Sequence, residues 1–157
     1  MLSLVERKSR LCLIARLANK SAQEVERTTI NLLDSIKEKV HTVTSDNGKE
    51  FAKHESIAKN LDAHFFFAHP YASWERGLNE NTNGLIRQYF PKKTQFNHIS
   101  DQQVQSVMEK LNNRPRKCLG MKNTKPGILQ GSFINRTSEL NPRYLRTIEL
   151  KRLICLT

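Results

Sequence analysis

No run in the 157 residues approaches the roughly 20 apolar residues that a membrane span requires, so no membrane insertion is expected. The opening stretch MLSLVERKSRLCLIARL is broken by Glu6, Arg7, Lys8 and Arg10, and therefore reads as neither a signal peptide nor an anchor. The expected location is the cytoplasm. Cysteine is also scarce: Cys12, Cys118 and Cys155 are odd in number, far apart and without a C-x-x-C pair, which argues against a disulfide framework or a zinc site. Reduced, mostly buried thiols follow. Internal repeats and low-complexity linkers are missing as well, and 38% hydrophobic with 26% charged residues suits a soluble globular chain of one domain's length. Acidic residues are the remaining shortage, 15 against 26 Lys and Arg, for a net charge of +11. Residues 111–157 hold ten basic and two acidic side chains, so most of the surplus lies there. A polyanion is the natural partner, because Lys and Arg contacts to phosphate release condensed counterions.

What is present reads as alternating strands and helices. LSLVER and LCLIARL, separated by the polar KSR, suggest an antiparallel hairpin. In SAQEVERTTINLLDSIKEKV, residues 21–40, Ser21 is an N-cap candidate with Glu24 three residues on, and Val25, Ile30, Leu32, Leu33, Ile36 and Val40 keep helical spacing. HTVTSD reads as a strand ending at Asp46, KEFAKHESIAKNL as a short helix, and AHFFFAH as an apolar strand buried on both faces. The order to that point is β-β-α-β-α-β. A helix is expected from about Trp74 to Tyr89, stopping before Pro91, with Leu78, Thr82, Leu85 and Tyr89 as its packing stripe and Glu80 pointing away from it. A capped helix in SDQQVQSVMEKLNNRPRK should stop near Pro115, and YLRTIELKRLICL reads as a strand or a short helix.

Two acids stand out by position. Asp46, in TSDNGKEF, ends a strand, and the carboxyl end of a strand in an α/β sheet is where ligands gather. Asp46 and Asn47 are equally good turn and N-cap residues, with Gly48 supplying a permissive backbone, so the position alone leaves both readings open. Glu80 alone reads as a solvated helix glutamate. Arg87, seven residues from Glu80 on the same helical face, suits either a substrate phosphate or the acid's charge. Lys92 and Lys93 follow Pro91, and Arg114, Arg116 and Lys117 surround Pro115 in NNRPRK; all five are candidate DNA contacts, with solvated charge as the plain alternative. His64 and His69 have no second pair of ligands nearby, so no zinc site is expected. Tyr71 and Trp74 suit core packing or helix entry better than base stacking.

TVTSDNGKEF, then PYASWERGLNENTNGLIRQYFPK, then LNNRPRKCLGMK closely resemble the catalytic region of the insertion-sequence-thirty family of bacterial transposases, within the Asp-Asp-Glu transposase and retroviral integrase superfamily. The resemblance runs from about Leu2 to Pro126. It implies an α/β, ribonuclease H-like integrase catalytic core over residues 1–127, followed by a basic tail over 128–157. It also implies DNA strand cleavage and transfer in transposition, on element ends and target DNA, close to the bacterial nucleoid and with homo-oligomers as a further expectation. In this family three carboxylates hold two divalent ions, Mg²⁺ or Mn²⁺, and the resemblance makes Asp46 the second acid and Glu80 the third, as catalytic and metal residues.

The family's first acid lies on a strand upstream of the LVERKS hairpin, whereas this sequence begins with that hairpin, and Glu6 and Glu24 do not match the motif. The resulting expectation is a truncated, incomplete core. Without the first strand, which in the family lies between the hairpin and the Asp46 strand, two sheet fragments with unpaired apolar edges are expected. Enzyme activity of this chain is therefore uncertain, and a catalytically inactive DNA-binding or subunit-interfering fragment, or a non-functional remnant, are the alternatives.

Overall fold

The computed structural model describes residues 1–69 and 77–124, and the backbone of residues 147–152. Strands β1 (Leu2–Glu6) and β2 (Cys12–Ala15) form the expected antiparallel hairpin, with Leu2 opposite Ala15 and Val5 opposite Cys12. Glu6 shapes its turn. The buried Glu6 carboxylate accepts the Lys8 amide at 3.0 Å, the Ser9 amide, and the Ser9 hydroxyl at 2.6 Å, while Arg10 adopts the left-handed conformation at φ 61°.

Helix α1 (Ala22–Leu33) starts at Ser21, whose hydroxyl accepts the Glu24 amide at 3.2 Å. The expected helix to Val40 instead tightens into a 3-10 helix over Asp34–Lys39. Strand β3 (Thr42–Ser45) leads through a 3-10 turn (Lys49–Phe51) into α2 (His54–Leu61), which ends in a left-handed Asp62 at φ 51°. Strand β4 (His64–Phe67) pairs in parallel with β3. The expectation that β4 is buried on both faces is corrected. Among the described residues it is an edge strand: His64 and Phe66 point to solvent, and only Phe65 and Phe67 turn inward to the rings of Phe51 and His54. An unbroken apolar run does not say that a sheet stops there.

Two helices complete the described layers: α3 (Gly77–Arg87) and α4 (Asp101–Asn112). A capping box joins Ser100 and Gln103 at the start of α4, and the helix stops three residues before Pro115, as expected. β1 is buried along its whole length, which requires cover on both faces; α1 and α3 both pack on it.

The sheet order is β2-β1-β5-β3-β4, where β5 is Thr147–Arg152. Two fragments with open edges were expected, but β5 joins them into one sheet. It runs antiparallel to β1, from Leu2↔Arg152 to Glu6↔Ile148, and parallel to β3, from Thr42↔Thr147 to Thr44↔Glu149. A strand drawn from the expected basic tail thus occupies the slot between hairpin and Asp46 strand. TIELKR satisfies the backbone of both neighbours, which a sequence pattern ambiguous between strand and helix did not reveal.

Glu26 ties α1 to α2. Its carboxylate accepts the Ser56 hydroxyl and pairs with the Lys53 ammonium at 3.2 Å. The hydroxyl bond first, and the ammonium after it, hold the carboxyl below its ordinary 4.5, against a smaller opposing effect of burial. The folded chain therefore binds this proton less tightly than the unfolded one, so the stabilisation is present above about pH 4.5 and is lost as pH falls through the lower folded value. Both partners are partly solvated, which limits the effect. Glu26→Gln should cost no more than about 1 kcal/mol at pH 7. In urea titrations the difference from the parent chain should shrink as pH falls below 4.5; a difference that grows on acidification would show that the carboxylate is not stabilised in the fold.

Candidate functional site

Asp46 directly follows β3 and is half-buried, and its carbonyl accepts the Ser45 hydroxyl at 3.0 Å. The N-cap of the following 3-10 turn is Gly48 and that of α2 is Lys53, and neither end carries a side-chain cap bond. The expected role of Gly48 is corrected. Its φ of −74° is ordinary for any residue, and a Cβ there would stand 2.5 Å from the Glu50 carboxyl group, the far end of a side chain that can turn aside. Spacing gave no sign of this carboxylate folding back over the loop.

Glu80 lies in the first described turn of α3 and is exposed, as expected. The packing stripe is not the expected one. Leu78 and Leu85 are half-buried and Tyr89 is 40% exposed, while Asn79, Thr82, Asn83 and Ile86 are buried, followed by Phe90. The reason is a polar contact that apolar periodicity cannot register: the Ser3 hydroxyl of β1 donates to Asn83 Oδ1 at 3.0 Å, with both residues buried. Thr82 covers its own hydroxyl by donating to the Leu78 carbonyl at 3.0 Å. Asn79 is 1% exposed, and its Oδ1 has no partner among the described residues.

Strand register brings the two acids to one end of the sheet. Thr44 is level with Glu149, and Lys151, two residues further along β5, is level with Ser3. Carrying the β3–β5 register on by the same two residues sets Asp46 level with Lys151 and Ser3, two strand spacings from β1, or roughly 10 Å. Ser3 is the residue that anchors Asn83, and Glu80 is three residues, less than one turn, before Asn83. Helix α3 packs on β1 and β5. The Asp46 loop and the Glu80 turn therefore share the end of the sheet at which β3 finishes. Glu6 lies at the opposite end of β1, engaged in its hairpin turn.

Asp46 and Glu80 offer oxygen donors, which suit a hard divalent cation. No group of three His, Cys, Asp or Glu residues able to hold a metal ion is gathered among the described residues. Two carboxylates fit an ion that is weakly held and keeps most of its waters. His64 and His69 are both exposed. Tyr71 and Trp74 lie outside the described residues.

Of the basic candidates, Arg87, Lys92, Lys93, Arg114 and Lys117 are exposed. Arg116 is half-buried and committed to the fold, donating through Nη2 to the Leu111 carbonyl at 2.9 Å near the end of α4; burial is the largest influence on its guanidinium and lowers its pKa. The thiols divide. Burial pushes Cys12 up to about 12, so it stays protonated, whereas Cys118 is exposed, against the expectation of mostly buried thiols; Cys155 lies outside the described residues.

Comparison with known proteins sets this geometry beside a set of mobile-element enzymes. Over 107 residues the chain is 53% identical to the transposase for insertion sequence element IS4351 of Bacteroides fragilis, covering 68% of this chain and 33% of that protein. Over 130 residues it is 40% identical to transposase InsI for insertion sequence element IS30A of Escherichia coli K12, covering 82% and 34%. A putative integrase of Spiroplasma virus SpV1-R8A2 B is 29% identical over 132 residues, covering 83% and 41%. The chain thus spans about a third of the length of the two transposases. No family model and no solved structure matches it.

Proposed function

Because the chain belongs to the insertion-sequence-thirty family of transposases, we propose that it acts in DNA transposition by metal-dependent strand cleavage and transfer, on a ribonuclease H-like sheet. The observation that carries this reading is the strand register that sets Asp46 and the Glu80 turn of α3 at one end of the sheet. Asp46 and Glu80 are the residues that would hold Mg²⁺ or Mn²⁺. When bound, such ions supply charge stabilisation for the attacking and leaving oxygens of an in-line phosphodiester displacement. The chain's own part is to fix one carboxylate on the loop after β3 and the other on a helix pinned to β1 through Ser3 and Asn83. Exposed Arg87, Lys92, Lys93, Arg114 and Lys117 are suited to positioning the DNA backbone, which carries charge but no direct base information. Arg116, tied to α4, would act there by shaping the NNRPRK turn.

A strand-cleavage assay with Mn²⁺, on DNA carrying the ends of an insertion element, tests the reading. It is run on this chain and on the chain joined to the upstream portion of the Bacteroides fragilis relative. The resemblance assigns Asp46 and Glu80 as two of the three carboxylates that the family's chemistry uses, and no group of three metal-holding residues is gathered among the described residues, so the chain by itself should bind Mn²⁺ weakly and leave the DNA intact. The joined chain should cleave only with metal present. Cleavage by the joined chain in excess chelator would defeat the proposal, and DNA binding that falls steeply with salt, without cleavage by either chain, would favour a silent DNA-binding domain instead.

A further inference from the structure

Strand β5 holds the sheet together from an unusual place in the chain. β1 and β3 are both bonded to it and not to each other, so the occupant of that slot decides whether the molecule has one sheet or two. The bonds on both sides are backbone ladder pairs, which any segment of suitable direction can make, the basis of recognition by strand addition. The last described residue before β5 is Thr124, fixed to the core by its amide on the Asn112 carbonyl at 3.0 Å and its hydroxyl on the Ser9 carbonyl at 2.8 Å. Residues 125–146 separate it from the strand. At about 3.3 Å per extended residue such a stretch spans up to roughly 70 Å, well beyond the size of a domain of this length. By length alone, the strand can reach the slot of its own chain or that of a second copy.

We propose that the slot between β1 and β3 is a strand-binding site that residues 147–152 of a second copy also fill, giving a dimer by reciprocal exchange of β5. The exchanged strand makes the same Leu2↔Arg152 and Thr44↔Glu149 pairs, so the closed and exchanged forms differ only in the path of the connection, and concentration selects between them. Strand direction is fixed by the site: antiparallel to β1, parallel to β3. The inference does not depend on the DNA reading. Light scattering on the full chain after size exclusion, from micromolar to near-millimolar concentration, tests it. The dimer fraction should rise with concentration, and an excess of a free peptide of residues 143–153 should convert the dimer to peptide-bound monomer, while a scrambled peptide should not. Ile148→Pro, which removes a ladder donor in a central strand, should abolish the dimer, and the parent peptide should restore ordered sheet to that variant in circular dichroism. A chain that stays monomeric throughout would overturn the proposal, and so would a dimer indifferent to the peptide or surviving Ile148→Pro.

Discussion

Asp46→Asn is expected to reduce metal-dependent cleavage by the joined chain at least about 10³-fold, since loss of a metal-holding carboxylate removes several kcal/mol of charge stabilisation and each 1.4 kcal/mol is a factor of ten. Glu80→Gln should match it. Both changes keep side-chain size and remove one charge, so a loss of this magnitude reports on chemistry rather than packing. Glu80 is exposed at the first described turn of its helix, where an acid contributes about 0.3–1 kcal/mol through the helix dipole, far too little to account for such a loss by unfolding. Glu55→Gln supplies the control, because Glu55 is an exposed acid in the first turn of α2 and should leave turnover unchanged. Turnover by the joined chain that survives Asp46→Asn would remove Asp46 from the site. Robust turnover by the short chain, lost on Asp46→Asn, would mean that another acid completes the set; Glu149, whose backbone lies opposite Thr44, would then be the first to substitute.

The largest stability effect is expected at Asn112. Its side chain accepts the Cys12 amide at 2.8 Å and donates to the Cys12 carbonyl at 2.8 Å, so one amide stands in for a neighbouring strand along the outer edge of β2. Met108 continues the cover, its sulfur accepting the Ile14 amide at 3.3 Å. This is how the hairpin's outer edge is closed against another chain. Asn112→Ala leaves a buried donor and a buried acceptor unpaired, at about 1–3 kcal/mol each. The gain in helix propensity returns less than about 0.7 kcal/mol. A net loss of about 3 kcal/mol follows, which for a chain of this size lowers Tm by roughly 6–12 °C in calorimetry. Asn112→Asp should do no better, since a carboxylate keeps the acceptor but turns a second one toward the Cys12 carbonyl. A change under about 1 kcal/mol for Asn112→Ala would show that water or a neighbouring side chain satisfies the strand edge.

The sequence by itself determined the hairpin at residues 2–15, the Ser21 and Ser100 helix starts, the end of a strand at Asp46 and the outward direction of Glu80, because strand alternation, cap chemistry and helical angle are local properties of the chain. Its longer blocks also carried the family, because resemblance over many residues does not depend on geometry. The tertiary structure alone decided what depends on partners remote in the chain. Ser3 meets Asn83 across the sheet and Asn112 meets Cys12, and no apolar period encodes such amide contacts. Among the described residues β4 proved an edge strand with one face toward solvent, which nothing in HFFF states. TIELKR lies at the centre of the sheet because β1 and β3 both present backbone groups that must be paired, and that demand arises only once the chain has folded.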